Sequence, residues 1–247
     1  MQRKYSWGEH KTPGEFRTQQ NWIGGTMPSN AVYVPPSVND MDELLSDFEK
    51  FIHNDEHKIP HLIKCALIHY QFETIHPFND GNGRIGRLII PLYLLDKKIL
   101  EKPCFYISDY FERNRTAYYD ALQNVRVNSD LTSWVTFFLN AVIFTAKSAK
   151  LKFRNAVKLV TEYENQLLGF PGRAESNMSV LKMFFNEPIL TGKQLQNRLS
   201  LSQRTIDKVI RNMLDTGMLR EITGYSRNRI YALMNYLHVF AQESSGI

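Results

Sequence analysis

His-Pro-Phe-Asn-Asp-Gly-Asn-Gly-Arg-Ile-Gly-Arg is the sequence of residues 76–87, and this stretch decides the fold because it separates two apolar helical segments. It combines a histidine, a carboxylate, glycines and two arginines in one short loop. Glycine lets a ligand approach the backbone closely, and the planar guanidinium of arginine suits phosphate oxygens. We therefore predict an anion-binding site at this loop.

Two side chains of the loop supply acid–base and metal chemistry. His76 follows an apolar helix, and a histidine can accept a proton near neutral pH. Asp80 is a short carboxylate beside a glycine, which suits it to hold Mg²⁺ against phosphate oxygens.

The second half of the loop leads into a helix that we expect to start near Arg84. Gly81, Asn82 and Gly83 precede that start, where unpaired N–H groups and the positive helix end favour anions. Arg84 and Arg87 are three residues apart, so both project from one face of the first turn.

The sequences on both sides of the loop have the apolar periodicity of helices. This periodicity predicts one domain over residues 1–168. A Gly/Pro-rich stretch between two β-prone runs predicts a hairpin at about 19–36. The helix after the loop is apolar nearly all round, which favours a central position. The other expected helices begin at Asn39 or Asp40, at Pro60 and at about 108, the last ending near 127. Residues 131–168 predict one long helix or two helices joined end to end.

A composition change at Gly169-Phe170-Pro171-Gly172 predicts a second domain over residues 169–247. The pattern indicates three helices, two of them capped by Thr191 and Ser202, followed by two strands. Residues 171–247 hold ten Lys and Arg against six Asp and Glu, so their net charge is +4.

Composition sets the broad class. The net charge of +5 and the sequence pI near 9.1 permit an anionic ligand or nucleic acid without requiring one. The first residues lack an apolar signal segment, and no run approaches a membrane span. We expect a cytoplasmic protein without a membrane partner. Motifs of P-loop ATPases and of Ser/His/Asp hydrolases are absent.

Residues 76–87 resemble the signature of the Fic family, His-x-Phe-x-Asp/Glu-Gly-Asn-Gly-Arg-x-x-Arg. Every fixed position matches, and the likeness extends over most of residues 10–145. Residues 11–17, 21–24 and 33–36 look like the entry to that family's flap, and residues 110–119 resemble its helix after the motif. The matching signature positions are His76, Phe78, Asp80, Gly81, Asn82, Gly83, Arg84 and Arg87.

The resemblance implies a mainly α fold, a Fic-type helical bundle with a β-hairpin flap. The second domain resembles a small winged helix-turn-helix (α+β). The implied activity is nucleotidyl transfer, usually of AMP from ATP to a Ser, Thr or Tyr hydroxyl of a target protein, with release of pyrophosphate.

The resemblance also implies residue roles. His76 would deprotonate the target hydroxyl, and Asp80 would hold Mg²⁺ between the α- and β-phosphates. Phe78 would anchor the loop in the core. The flap, near Ile23 to Tyr33, would dock the target as an added strand.

The phosphates would lie in the second half of the loop. The backbone of Gly81 and Gly83, together with Asn82, would cradle them. Arg84 and Arg87 would bind the β- and γ-phosphates. Tyr119 is a candidate for the adenine pocket.

Other interpretations stay open. The motif specifies phosphates better than the base, so transfer of UMP or phosphocholine is an alternative. A further alternative is a DNA-binding regulator whose Fic domain senses a nucleotide. The winged helix would contact DNA through its second helix and Arg227 and Arg229, or it would mediate a protein contact or a homodimer.

One expected element is missing from the pattern. Many Fic proteins carry an inhibitory helix, Ser/Thr-x-x-x-Glu-Gly/Asn, whose glutamate pairs with the second arginine. Thr161-Glu162-Tyr163-Glu164-Asn165 places its glutamates one position away from this pattern. We therefore expect a truncated or unusually short form in which Arg87 is not inhibited in cis.

Overall fold

A computed structural model describes residues 14–54, 56 and 58–241, and the chain divides into two compact units between Ala146 and Lys147. Three of the residues predicted to form the flap entry, Lys11 to Pro13, lie outside the described residues. No described helix combines the length and apolar character that a membrane span requires. The domain boundary expected at residue 169 stays a prediction.

The first unit is built from helices, as the apolar periodicity predicted. The 3-10 turns Pro28–Asn30 and Val38–Asp40 precede them. The helices are α1 (Met41–His53), α2 (His61–Ile75), α3 (Asn82–Asp96), α4 (Ser108–Arg113), α5 (Arg115–Asn128) and α6 (Leu131–Leu167), with the unit boundary inside α6.

Helix α2 lies in the core of this unit. Cys65, Ala66 and Ile68 are fully buried in it, together with Trp134 of α6. The indole N–H of Trp134 donates to the Ala66 carbonyl at 3.0 Å, so the buried ring leaves no unpaired donor. This packing holds the C-terminal end of α2, where the loop begins.

Helix α3 packs on α2 through one face only. Ile90, Tyr93 and Leu94 are buried, whereas Leu88 and Leu92 are 55% and 54% exposed. The expectation of a central helix was therefore wrong, because an apolar composition does not show how many faces find a partner. The helix tolerates Pro91 in its interior.

The predicted helix at 108–127 is two helices. It breaks at Asn114, whose φ of −111° and ψ of 36° are not helical. The side-chain amide of Asn114 donates to the Tyr110 carbonyl at 2.9 Å and so pairs an acceptor at the end of α4.

The segment predicted as a hairpin pairs at one isolated bridge, between Ile23 and Tyr33. Gly24 and Gly25 both have a φ of +70°, which turns the chain immediately after Ile23. On the other side, Pro35 and Pro36 have no N–H to donate, which prevents a longer ladder. A two-stranded flap is therefore not formed here.

The second unit contains the predicted three helices and two strands, with an additional strand and helix. In order these are α7 (Ala174–Asn186), β1 (Ile189–Thr191), α8 (Gly192–Arg198), α9 (Gln203–Asp215), β2 (Arg220–Glu221), β3 (Ile230–Ala232) and α10 (Met234–Ala241). The strands form an antiparallel sheet in the order β1-β3-β2.

Both predicted caps in this unit are confirmed. The hydroxyl of Thr191 accepts from the Gln194 N–H, and that of Ser202 accepts from the Thr205 N–H, each at 3.2 Å. Such caps pair N–H groups that a helix start leaves free. The winged-helix assignment of this unit stays a prediction.

Candidate functional site

His76 ends α2 in the left-handed region, with φ 50° and ψ 57°. Its N–H still donates to the Phe72 carbonyl at 3.0 Å, and then the chain turns away from the helix axis. Arg17 holds this turn, because its Nε donates to the His76 carbonyl at 3.1 Å and its backbone N–H to the Pro77 carbonyl at 2.8 Å. The turn directs the chain from the core into the loop.

The His76 imidazole is partly buried beside positive charges. Burial lowers its pKa to about 4, and the charges of Arg126 and Arg17 act in the same direction. The ring is therefore neutral at physiological pH. A neutral imidazole is the form that can accept a proton.

Asn82 closes the loop on Phe78. Its side-chain oxygen accepts from the Phe78 N–H at 2.9 Å, and its side-chain amide donates to the Phe78 carbonyl at 2.7 Å. Asn21 donates to the same carbonyl at 3.1 Å. The Asn82 side chain is thus already paired, and the residue as a whole is 2% exposed, so its predicted phosphate contact stays a prediction.

The loop meets the N-terminus of α3 at Gly81. A φ of +86° at this position favours glycine, and the Gly81 carbonyl accepts from the N–H groups of Arg84 and Ile85 at 3.0 Å. The helix starts at Asn82, two residues before the predicted start. Its positive end therefore lies at Asn82 and Gly83, where an anion would be stabilised.

The two arginines of the motif lie in different settings. Arg84 is exposed, and its NH2 lies 3.6 Å from the Asp80 carboxylate, which is itself 45% exposed. Arg87 is half-buried, and a Cβ added at Gly83 would lie 3.3 Å from its NH1. The structure thus brings both guanidinium groups to the first turn of α3, with Arg87 against the backbone.

Asp80 supplies the carboxylate for the predicted metal. Its Oδ1 accepts from the Gly81 N–H at 2.8 Å, which orients the group at the mouth of the loop. No cluster of three His, Cys, Asp or Glu side chains suited to a metal occurs in the described part of the chain. One carboxylate fits Mg²⁺ bound together with substrate phosphates, because this ion keeps several waters.

Two further predicted residues have different surroundings. Phe78 is half-buried, and its ring lies 5.3 Å from Phe16 and 6.4 Å from Phe72, as a loop anchor should. Tyr119 is 47% exposed on α5, with ring contacts to Arg115 and Tyr118. In the described part of the chain its ring contacts lie on α5 itself, so its adenine role stays a prediction.

The structure adds two residues that the motif does not include. Glu73 is 6% exposed and lies one turn before His76. Arg126, on α5, donates from NH2 to the Glu73 carbonyl at 3.4 Å. A carboxylate in the apolar sequence Phe72-Glu73-Thr74-Ile75 was a local signal for Glu73. No local signal points to Arg126.

Arg126 also contacts the flap segment, residues 19–36, and so connects this segment to the site. Its Cζ lies 3.6 Å from the centre of the Tyr33 ring, at cation–π distance. The Tyr33 hydroxyl donates to the Thr74 carbonyl at 2.9 Å, and Gln123 donates to the Val32 carbonyl at 3.3 Å. The residues around the Ile23–Tyr33 bridge are therefore attached to α2 and α5 beside His76.

This arrangement places a neutral imidazole, a helix N-terminus and two guanidinium groups around one loop. Residues 1–94 match the model of the Fic/DOC family. The chain therefore carries a Fic/DOC domain, which includes all of residues 76–87. Tyr119 and Arg126 lie beyond the matched residues.

Sequence relatives support this Fic/DOC assignment. The protein adenylyltransferase Fic of Aedes aegypti is 34% identical over 125 residues, which are 50% of this chain and 22% of that protein. The protein of the same name from Drosophila melanogaster is 36% identical over 83 residues, 33% of this chain and 15% of that protein. The chain thus spans about a fifth of the length of these relatives.

A solved structure agrees with the fold. A Fic family protein from Desulfovibrio desulfuricans G20 superposes with a TM-score of 0.50 at 21% sequence identity. The match covers 89% of this chain and 62% of that chain. The helical Fic fold is therefore shared.

Proposed function

We propose that this protein is a Fic-type adenylyltransferase, which transfers AMP from ATP to a Ser, Thr or Tyr hydroxyl of a target protein. The observation that carries this proposal is the neutral imidazole of His76 beside the anion-binding start of α3. The adenylyltransferase relatives, matched over half of the chain at most, support the same chemistry.

In the proposed reaction, the His76 imidazole takes the proton of the target hydroxyl. The hydroxyl oxygen forms a bond to the α-phosphorus, and the bond from that phosphorus to the bridging oxygen of the β-phosphate breaks. Pyrophosphate leaves with the electron pair. General-base catalysis of this kind contributes about 10²–10⁴-fold.

The first turn of α3 binds the phosphates in this proposal. Backbone N–H groups at Asn82 and Gly83 face the anion, and Arg84 and Arg87 neutralise the leaving pyrophosphate. Asp80 would hold Mg²⁺, which would supply charge neutralisation at the phosphates. Charge stabilisation by groups already in position requires little rearrangement during the reaction.

The flap segment offers a docking edge for the target. Val32 and Val34 are 62% and 43% exposed, and the pairing of this segment ends at the Ile23–Tyr33 bridge. An extended peptide could continue the pairing along this edge. Such docking would deliver its hydroxyl next to His76, because Tyr33 is bonded to the end of α2.

The test is mass spectrometry of the protein and of candidate targets after incubation with ATP and Mg²⁺. We expect adducts with the mass of one AMP group, which are lost in His76→Ala and kept in His53→Ala, an exposed histidine of α1. Transfer by His76→Ala at the wild-type rate would rule out the proposal. Parallel incubations with UTP and with CDP-choline test the alternative transfers of UMP and phosphocholine.

DNA binding by the second unit is a second candidate function. Helix α9 buries Ile206 and Val209. It exposes three cations and one acid, so its exposed face has a net positive charge: Arg204, Lys208, Arg211 and Asp207. Arg227 and Arg229, between β2 and β3, are also exposed. A winged helix would present such a helix to the major groove and the arginines to phosphates.

A gel-shift titration with mixed duplex DNA at low salt tests this second function. We expect a shift that weakens with salt and is reduced in Arg204→Ala/Lys208→Ala, but not in Lys158→Ala/Lys150→Ala on α6. Absence of a shift at micromolar protein would favour a protein contact or a homodimer instead.

A further inference from the structure

The carboxylate of Glu73 lies directly under the first turn of α3. A Cβ added at Gly86 would overlap its Oε1, and one added at Gly83 would lie 3.8 Å from the same oxygen. The Gly83 position is also 3.3 Å from the NH1 of Arg87. Glycines at these two positions therefore leave the space in which a carboxylate can sit beneath the proposed phosphate site.

Glu73 depends on two arginines for its negative charge. Burial raises its pKa to about 7, and the charges of Arg87 and Arg126 oppose this rise. Its Oε1 has no hydrogen-bond partner among the described residues. The carboxylate is thus stabilised by nearby positive charge rather than by a hydrogen bond to that oxygen.

The other titratable groups around Glu73 do not change charge near pH 7. His69 of α2 shares a 2.9 Å hydrogen bond with the Tyr118 hydroxyl of α5. Burial lowers the pKa of His69 to about 4 and raises the pKa of Tyr118 well above its usual value. The pKa of His76 is also about 4. With a pKa of about 7, Glu73 is therefore the group that changes charge near neutral pH, unlike His69, His76 and Tyr118.

We propose that Glu73 and the phosphates of the bound nucleotide compete for Arg87, so that nucleotide binding is accompanied by proton uptake at Glu73. The inference rests on the proposed nucleotide site. A phosphate that pairs with Arg87 weakens one of the two charges that stabilise the carboxylate and adds a negative charge nearby. Glu73 then takes a proton from solvent and becomes neutral.

This competition gives the domain an internal restraint on Arg87. The chain has no glutamate in the family's inhibitory pattern, but α2 places Glu73 beneath the turn of α3 that carries Gly83, next to the guanidinium of Arg87. The carboxylate form opposes nucleotide binding, and the neutral form permits it. Glu73 is therefore a positioning residue that acts through Arg87, and binding should be tighter at pH 6 than at pH 8.

The experiment measures the dissociation constant of ATP with excess Mg²⁺ for the wild type and for Glu73→Gln from pH 6 to pH 8. Glutamine has nearly the same shape and stays neutral. ATP titrates by itself in this range, but equally with both proteins, so the ratio of the two constants reports Glu73. If binding raises the pKa of Glu73 by one unit, the wild-type dissociation constant divided by that of Glu73→Gln rises from near 1 at pH 6 to about 5 at pH 8.

Proton uptake gives a second measurement. Calorimetry in two buffers of different ionisation enthalpy should show more protons taken up by the wild type than by Glu73→Gln at pH 7.5. Glu49→Gln, an exposed glutamate of α1, should behave as the wild type in both measurements. Thermal unfolding verifies that Glu73→Gln is folded.

The outcomes separate this inference from the proposed function. A ratio that is equal at pH 6 and pH 8 overturns the competition, whether or not the protein transfers AMP. ATP binding with the expected ratio but without transfer to any target supports the competition and counts against the adenylyltransferase proposal. Absence of ATP binding to either protein overturns both.

Discussion

Asn82 and Phe78 are joined by two hydrogen bonds that run in opposite directions. The Asn82 side chain accepts from the Phe78 N–H at 2.9 Å and donates to the Phe78 carbonyl at 2.7 Å. The buried side-chain amide of Asn82 thereby pairs both the backbone N–H and the backbone carbonyl of Phe78. The loop carrying Asp80 and Gly81 is closed by this pair before any ligand binds.

The Asn82→Ala substitution should open the loop. It leaves the N–H of Phe78 without its partner, and we expect a loss of about 1–3 kcal/mol in the free energy of unfolding, with weaker ATP binding. Urea unfolding measures the first effect and calorimetry the second. Asn155→Ala, at an exposed position of α6, should change neither. Unchanged stability of Asn82→Ala would show that the two bonds contribute nothing net.

The Gly86→Ala substitution should destabilise the first unit even though alanine favours helices. Its methyl group would meet the Glu73 carboxylate and would lie 3.2 Å from the rings of His69 and Phe72. We expect a cost of about 1–3 kcal/mol from overpacking, measured by thermal unfolding.

The control for this crowding is Gly169→Ala, whose added Cβ meets only the Gln166 carbonyl at 3.6 Å. It should be neutral or slightly stabilising. Equal melting temperatures of Gly86→Ala and wild type would contradict the close approach of Glu73 to α3.

Tyr33 and Arg126 should be energetically coupled. The guanidinium stacks on the ring at 3.6 Å in a partly buried site, and a double-mutant cycle with Tyr33→Leu and Arg126→Gln should give a coupling of about 0.5–2 kcal/mol. Each single variant should also speed hydrogen exchange around the Ile23–Tyr33 bridge. Strictly additive effects on stability would show that the stacking contributes nothing.

The rate of AMP transfer should resist acid down to about pH 5. Because burial holds the pKa of His76 near 4, about nine-tenths of the imidazole is neutral at pH 5. An ordinary histidine would be mostly protonated there. The measurement is kcat at saturating ATP from pH 5 to pH 8, and a half-maximal rate near pH 6.5 would contradict the buried state of the base.

His69 should make stability depend on pH. Its pKa is lowered from 6.5 to about 4, so the unfolded chain binds one more proton than the native protein between these values. The free energy of unfolding should therefore fall as pH decreases through this window, by about 1.4 kcal/mol per pH unit from this residue. His69→Gln should lose that part of the slope in urea unfolding at pH 4.5 to 6.5.

The control for the pH slope is His53→Gln, which replaces an exposed histidine of α1. It should keep the wild-type slope. If His69→Gln kept it as well, His69 would not be the buried neutral group that its bond to Tyr118 indicates.

The sequence by itself determined part of the local structure of this protein. The starts of α1 and α2, the length of α6, and the caps Thr191 and Ser202 follow from short-range rules of periodicity and hydrogen bonding. The order of residues in the loop was sufficient to predict an anion site. These features involve residues within about four positions of one another, so neighbouring residues decide them.

Only the tertiary structure decided what surrounds the loop. Arg17 and Arg126 are 59 and 53 residues from the carbonyl groups that accept their hydrogen bonds. Glu73 lies near Arg87 because α2 and α3 pack together. The expectation that Arg87 is not inhibited in cis rested on one helical pattern, which contains no information about this packing. The pKa of a buried carboxyl is set by desolvation and by charges from distant parts of the chain, and periodicity contains no information about either.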